Sequence, residues 1–165
     1  MRLRWWKRWL LGIAVVLVGV YAAAIFLAHR TPPLSISQGT SNVGENAYLI
    51  GVDLDNTGLF PVTLLRARVE PVREARITAV VSLEDPGGNS ICQASSAALY
   101  PDGCPHQRTG EVAGWRIPPA RPRGELHGLR VELPLEAGPE EQILVVSYRY
   151  LGWTFTDERP IRPRP

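Results

Sequence analysis

Residues 48–69 read YLIGVDLDNTGLFPVTLLRARV. Tyr48, Ile50, Val52 and Leu54 are apolar, and the alternating residues Leu49, Gly51, Asp53 and Asp55 are mostly small or charged. A β-strand turns successive side chains to opposite faces, so this alternation describes a strand with one buried face. Asn56-Thr57-Gly58 then supplies residues that favour a turn, and Pro61 opens a second run from Val62 to Val69. The stretch predicts two strands joined by a turn.

The same pattern continues on both sides. Upstream, Leu34 and Ile36 alternate with serines. Downstream, Ala75 to Leu83 alternates through Ile77, Ala79, Val81 and Leu83 and stops at Asp85-Pro86-Gly87-Gly88. From Asn89 to Gly124 strand signals are few; the weak patterns are a helical turn over Ala94–Tyr100 and a short strand over Val112–Ile117. Alternation returns at Leu129, Val131 and Leu133, then at Ile143–Tyr150 and Trp153–Thr156. Several short strands punctuated by Gly and Pro, without a long amphipathic helix, predict an all-β domain over residues 34–157. The expected architecture is an immunoglobulin-like antiparallel β-sandwich, with a small barrel as the alternative.

Tyr148 and Tyr150 occupy even positions, whereas Trp153 and Phe155 occupy odd ones. A bulge at Gly152 resets the period of two and puts the four rings on one face of a single last strand, which is the favoured reading. A tight turn at Leu151-Gly152, making two strands, is the alternative. The rings are expected to belong to the core.

A different pattern precedes the domain. Trp9 to Ala28 contains no charge, Asn, Gln or Pro. About twenty residues at about 1.5 Å each span roughly 30 Å, the thickness of a bilayer's hydrocarbon core. Arg2, Arg4, Lys7 and Arg8 come before it, with the rings of Trp5, Trp6 and Trp9; His29 and Arg30 close the far side before Thr31-Pro32-Pro33. These nine residues, from Arg2 to Arg30, are the expected membrane-interface set. More cations before the span than directly after it predict a cytoplasmic tail over 1–8, a transmembrane helix over 9–28 and an extracytoplasmic remainder, hence a single-pass protein of the cell membrane. A signal peptide cleaved near Ala22-Ala23-Ala24 is the rival, but Ile25, Phe26 and Leu27 prolong the apolar run past it.

The chain of 165 residues is 45% hydrophobic with a formal net charge of +2, which excludes a disordered chain and makes a multidomain enzyme unexpected. The charge is unevenly divided. The first eight residues hold four of the eighteen cations and no carboxylate, leaving fourteen arginines against sixteen acidic residues. A basic inside tail thus joins a slightly acidic outside domain. The end, Arg159-Pro-Ile-Arg-Pro-Arg-Pro165, reads as an extended Pro/Arg-rich tail over 158–165.

Chemistry-bearing motifs are sparse. Cys92 and Cys104, in a translocated domain, are expected to form a disulfide. The alternative is a metal or redox site using them with His106, although Cys-x11-Cys-x-His is not a metal-binding spacing. No Gly-x-Ser-x-Gly occurs, and the only lysine is Lys7, so a Ser-x-x-Lys nucleophile is excluded from the domain. His127 is a lone loop histidine, Asp53 and Asp55 share a strand face, and Glu136, Glu140 and Glu141 flank Pro139 as a solvated loop. Neither Asp53 with Asp55 nor Glu84-Asp85 has a calcium-loop spacing. No catalytic residue, metal or other cofactor is expected, and basic loops without interleaved aromatics do not predict nucleic-acid binding.

Tyr48–Leu65 resembles the early strands of bacterial surface-exposed immunoglobulin-like modules. With Tyr148–Thr156 and the N-terminal anchor, the chain resembles small membrane-anchored proteins of Gram-positive bacteria. The resemblance implies location and fold, and transfers no catalytic residue. The architecture is also similar to that of the copper-delivery assembly proteins of cytochrome oxidase, but their closely spaced cysteine pair has no counterpart here. The expected function is a non-catalytic interaction or assembly module, whose partners are the lipid bilayer and another envelope or membrane protein. A membrane-tethered metallochaperone or redox accessory using the Cys92–His106 segment is the alternative.

Overall fold

The computed structural model describes residues 2–44, 46–83, 108–119 and 125–163, with the side chains of residues 2–5 and of Leu83 left out. The chain divides into two units, Met1–Pro32 and Pro33–Pro165.

The first unit is a single helix, α1 (Arg2–Arg30). It contains no proline, and its Ala- and Leu-rich stretch favours helix. Thr31 ends it: both its backbone N–H and its hydroxyl donate to the Leu27 carbonyl, at 2.8 and 2.9 Å. Pro32 and Pro33 cannot continue the ladder. Residues Trp6–Arg30 form one run with a mean hydropathy of 2.7 over its most apolar window, long and apolar enough to cross a membrane. Helix geometry begins at Arg2, so residues 2–8 are the first turns of α1.

The second unit is the sandwich. Its described strands are β1 (Leu34–Val43), β2 (Ala47–Asn56), β3 (Val62–Glu70), β4 (Arg76–Leu83), β5 (Arg108–Gly110), β6 (Arg116–Ile117), β7 (Glu125–Pro134), β8 (Gln142–Tyr150) and β9 (Trp153–Ile161). They form two antiparallel sheets, ordered β1-β2-β7-β4-β5 and β6-β3-β8-β9. Without the short edge strands β5 and β6, the orders are β1-β2-β7-β4 and β3-β8-β9. That is the arrangement of a constant-type immunoglobulin domain, whose first, second, fifth and fourth strands face the third, sixth and seventh. The expected fold class is the observed one.

The alternation of the opening stretch explains the core. Ile50 and Val52 pair with Val131 and Leu129, and all four side chains are buried. Ala79, in β4, extends the same row. Val62, Leu64, Leu144, Val146 and Tyr148 supply the facing layer. Each fully buried large aliphatic side chain stabilises by about 1.5–3 kcal/mol, so the layer between the sheets carries most of the domain's favourable energy.

Three sequence readings need correction. β8 and β9 are separate strands joined by the two-residue turn Leu151-Gly152, with φ of 51° and 85°, so the expected bulged single strand is a hairpin. Two consecutive positive φ values give a turn whose twist matches the strands. The four rings still share a face, because Tyr148 pairs with Phe155 and Tyr150 with Trp153. Second, β9 runs to Ile161, so residues 158–161 are strand and the expected tail begins after them. β9 is an edge strand, where the missing N–H of Pro160 is tolerated. Third, the strand expected over Val112–Ile117 is only Arg116–Ile117; before it, Trp115 N–H donates to the Val112 carbonyl at 3.1 Å in a turn. The helical turn expected over Ala94–Tyr100 lies outside the described residues.

The two sheets are also tied along one edge. β1 bulges between Gln38 and Ser41. There the Gln38 side chain donates to the Arg162 carbonyl at 2.7 Å and accepts from its N–H at 2.9 Å. One amide side chain thus mimics a strand rung between the first strand and the chain leaving the last.

Candidate functional site

The strand registers gather seven strand ends at one end of the sandwich. Leu34 at the start of β1 pairs with Asn56 at the end of β2. Leu54 pairs with His127 near the start of β7, Val62 at the start of β3 with Ile117, and Tyr150 with Trp153 across the last hairpin. The chain enters the domain here, so this is the entry end.

Asn56 organises it. Its buried side chain donates to the Phe60 carbonyl at 2.9 Å and the Ile117 carbonyl at 3.1 Å, and accepts from Gly58 N–H at 2.9 Å. An Asn offers both donor and acceptor on one planar group, so it can close the loop on itself and tie it to β6. Thr57 N–H and hydroxyl both donate to the Pro33 carbonyl, at 2.8 and 3.1 Å. Gly58 sits where a Cβ would meet Tyr150 Oη at 2.8 Å and Pro33 Cβ at 2.9 Å. The sequence read Asn56-Thr57-Gly58 as a turn; the structure adds that only glycine fits.

Held this way, the loop turns apolar side chains outward. Leu59 is 85% exposed, Phe60 49% and Trp153 51%. All three surround Tyr150: Leu59 N–H donates to its hydroxyl at 3.2 Å, the Phe60 ring meets it edge-on at 6.3 Å, and Trp153 is its cross-strand partner. On the outer face of this sheet, Thr63 pairs with Arg116 on one side and Arg149 on the other, and both arginines are exposed. The entry end therefore carries an exposed apolar and aromatic cluster on the ring-bearing face, while the two arginines belong to the outer face of the sheet.

A shallow niche with room for little more than a water molecule lies nearby, lined by Leu54, Asp55, Asn56, Ile117, Pro118, Glu125 and His127. Trp115 Nε1 donates to His127 Nδ1 at 3.4 Å, and His127 Nε2 lies 3.6 Å from Glu125 Oε2. Accepting at Nδ1 assigns the neutral proton to Nε2, facing the carboxylate. Trp115 itself packs over Gly110, where a Cβ would come within 2.7 Å of its ring. The histidine expected in a solvated loop is thus on β7 and largely buried, engaged by a tryptophan and a glutamate. Among the described residues no group of three or more His, Cys, Asp or Glu is placed to hold a metal ion.

Tyr148, 1% exposed, stacks on Phe155 at 5.6 Å. Burial pushes its pKa up to about 12, with a contribution from the Asp157 carboxylate, against a lowering hydrogen bond with the Leu34 backbone. It is a neutral core phenol at physiological pH.

The expected membrane-interface residues fall into two groups on α1. Trp6, Lys7, Arg8 and Trp9 are exposed near its start; the side chains of Arg2, Arg4 and Trp5 lie outside the described set. His29 and Arg30 are exposed at its end, His29 Nδ1 lying 3.0 Å from the Ile25 carbonyl and the Arg30 guanidinium 4.7 Å from the Phe26 ring centre. Trp9 and His29 are separated by about 30 Å of helix rise. Asp53 and Asp55 lie on the outer face of β2, paired with Ser37 and Ser35. Glu141 pairs with Arg162 at 3.3 Å. Cys92, Cys104 and His106, the residues of the expected disulfide and its metal-site alternative, lie outside the described residues.

Sequence reasoning did not bring Leu59, Phe60 and Trp153 together. The available signal was a pair of large apolar residues between a turn and Pro61, in a loop where polar residues are usual.

No family model matches the chain, and no curated protein matches it. Among solved structures, the GAE domain of GGA2p from Saccharomyces cerevisiae aligns with a TM-score of 0.41 and 11% identity, over 82% of this chain and 91% of that one.

Proposed function

We propose that the chain is a single-pass membrane protein of the bacterial cell envelope, whose β-sandwich is a non-catalytic interaction or assembly module outside the cytoplasm. The observation that carries this reading is the 25-residue helical span Trp6–Arg30, with its apolar stretch Trp9–Ala28, followed almost directly by a domain with its own core. A bilayer is the solvent that accepts such a helix at no cost in exposed apolar surface. The basic residues before the run favour retention of that end in the cytoplasm. In the sandwich, Asn56, Tyr148 and His127 are each engaged in holding loops or core together. That leaves the surface to act, and sandwich surfaces recognise partners without a fixed motif.

Crosslinking in intact membranes, followed by identification of the adducts, tests the module. The reading predicts a stoichiometric adduct with another envelope protein. Metal bound to the purified full chain, lost on alkylation of Cys92 and Cys104, would replace the module with a metallochaperone. The same alkylation without reductant is predicted to leave both cysteines unmodified, as a disulfide requires.

A further inference from the structure

The exposed cluster at the entry end has a neighbour imposed by the covalent chain. Only Thr31, Pro32 and Pro33 separate the end of α1 from the start of β1. Three extended residues reach about 10 Å, comparable to the depth of a headgroup layer. Leu34 begins β1 at the end of the sandwich that presents Leu59, Phe60 and Trp153. If α1 spans the bilayer, these side chains are tethered beside its surface.

Their chemistry suits that position. Trp concentrates at the membrane–water boundary because its ring is apolar and its N–H is polar. Leu59 and Phe60 offer apolar area that water does not favour; single exposed apolar residues are ordinary, but here three gather around one buried tyrosine. The loop is also pre-formed: Asn56 fixes its carbonyls, Gly58 its close approach and Tyr150 its N–H, so insertion orders little additional chain.

We propose that Leu59, Phe60 and Trp153 form a membrane-contact site that enters the headgroup region of the bilayer crossed by α1. The site makes the sandwich a domain seated on lipid and not one swinging freely on its linker. It rests on the membrane-anchor reading above, and its test separates the two.

The full chain is reconstituted in vesicles of phosphatidylcholine and phosphatidylglycerol, with the photocrosslinker p-benzoylphenylalanine replacing one residue at a time. Leu17 lies inside the apolar run, Leu59 in the proposed site, and Glu140 in the exposed loop before β8 at the opposite end. Leu59 is exposed, so its replacement leaves the core intact. On illumination, mass shifts of one lipid are expected from positions 17 and 59 and none from 140. Lipid adducts at 17 but not at 59 overturn the contact site while leaving the anchor in place. Absence of lipid adduct at 17 removes the anchor and the site with it. Adducts of position 59 with a second copy, or equal lipid adducts at 59 and 140, overturn the site as well.

Discussion

Gly58 shows how much a single position can carry. Its missing side chain lets Tyr150 Oη and the Pro33 ring close over the loop, and an added methyl would lie within 3 Å of both. Gly58→Ala is therefore expected to destabilise the domain by about 1–3 kcal/mol, the range for overpacking a tight contact. Urea unfolding should show a lower midpoint at unchanged slope. Tyr148 supplies a second test. Its pKa is raised to about 12 by burial and by Asp157, whereas an unfolded tyrosine titrates near 10. Folding holds the proton, so the tyrosine's contribution is complete below about pH 10 and is lost as pH rises towards about 12. Tyr148→Phe should flatten the loss of stability across that interval, followed by thermal melts at each pH. Neither role could be read from the sequence. The turn signal at Asn56-Thr57-Gly58 was legible, but its partners Ile117 and Tyr150 are 61 and 91 residues away along the bond-forming pairs.

Among elements, the last hairpin is the informative one. The change of parity between Tyr150 and Trp153 was visible, and both a bulge and a two-residue turn produce it. The discriminating signal was hidden by Leu151, because two-residue turns with positive φ usually announce themselves with Asn-Gly or Asp-Gly. Leu151 adopts φ of 51° nonetheless, a conformation that costs a side-chain-bearing residue roughly 1–2 kcal/mol. Leu151→Asn should recover part of that, raising the melting temperature, with a β9 that remains paired in register with β8. An unchanged or lowered melting temperature would show that packing of Leu151 outweighs its backbone strain. The end of β9 was misjudged for a related reason. Alternating Arg and Pro read as a free tail, but an edge strand tolerates proline, and Gln38 captures the backbone of Arg162 just beyond it. By contrast β2, β3 and β4 were legible nearly end to end, since their alternating apolar residues write a period of two into the sequence.

At the scale of the molecule, the sequence expressed the division between an apolar helix and a β-sandwich clearly, through an unbroken apolar run and alternating strands. The clustering of Leu59, Phe60 and Trp153 was not legible, because it depends on strand ends far apart in the chain meeting at one end of the fold. The central claim is that α1 holds this sandwich on the outer side of a membrane. A reporter enzyme that matures only outside the cytoplasm, fused after Pro165 and assayed in intact bacterial cells, addresses that claim most directly. The account predicts an active reporter that remains with the membrane fraction and a protein that still begins before Trp6. An inactive reporter would contradict the orientation, and an active one released with a new N-terminus near Ile25 would contradict the anchor.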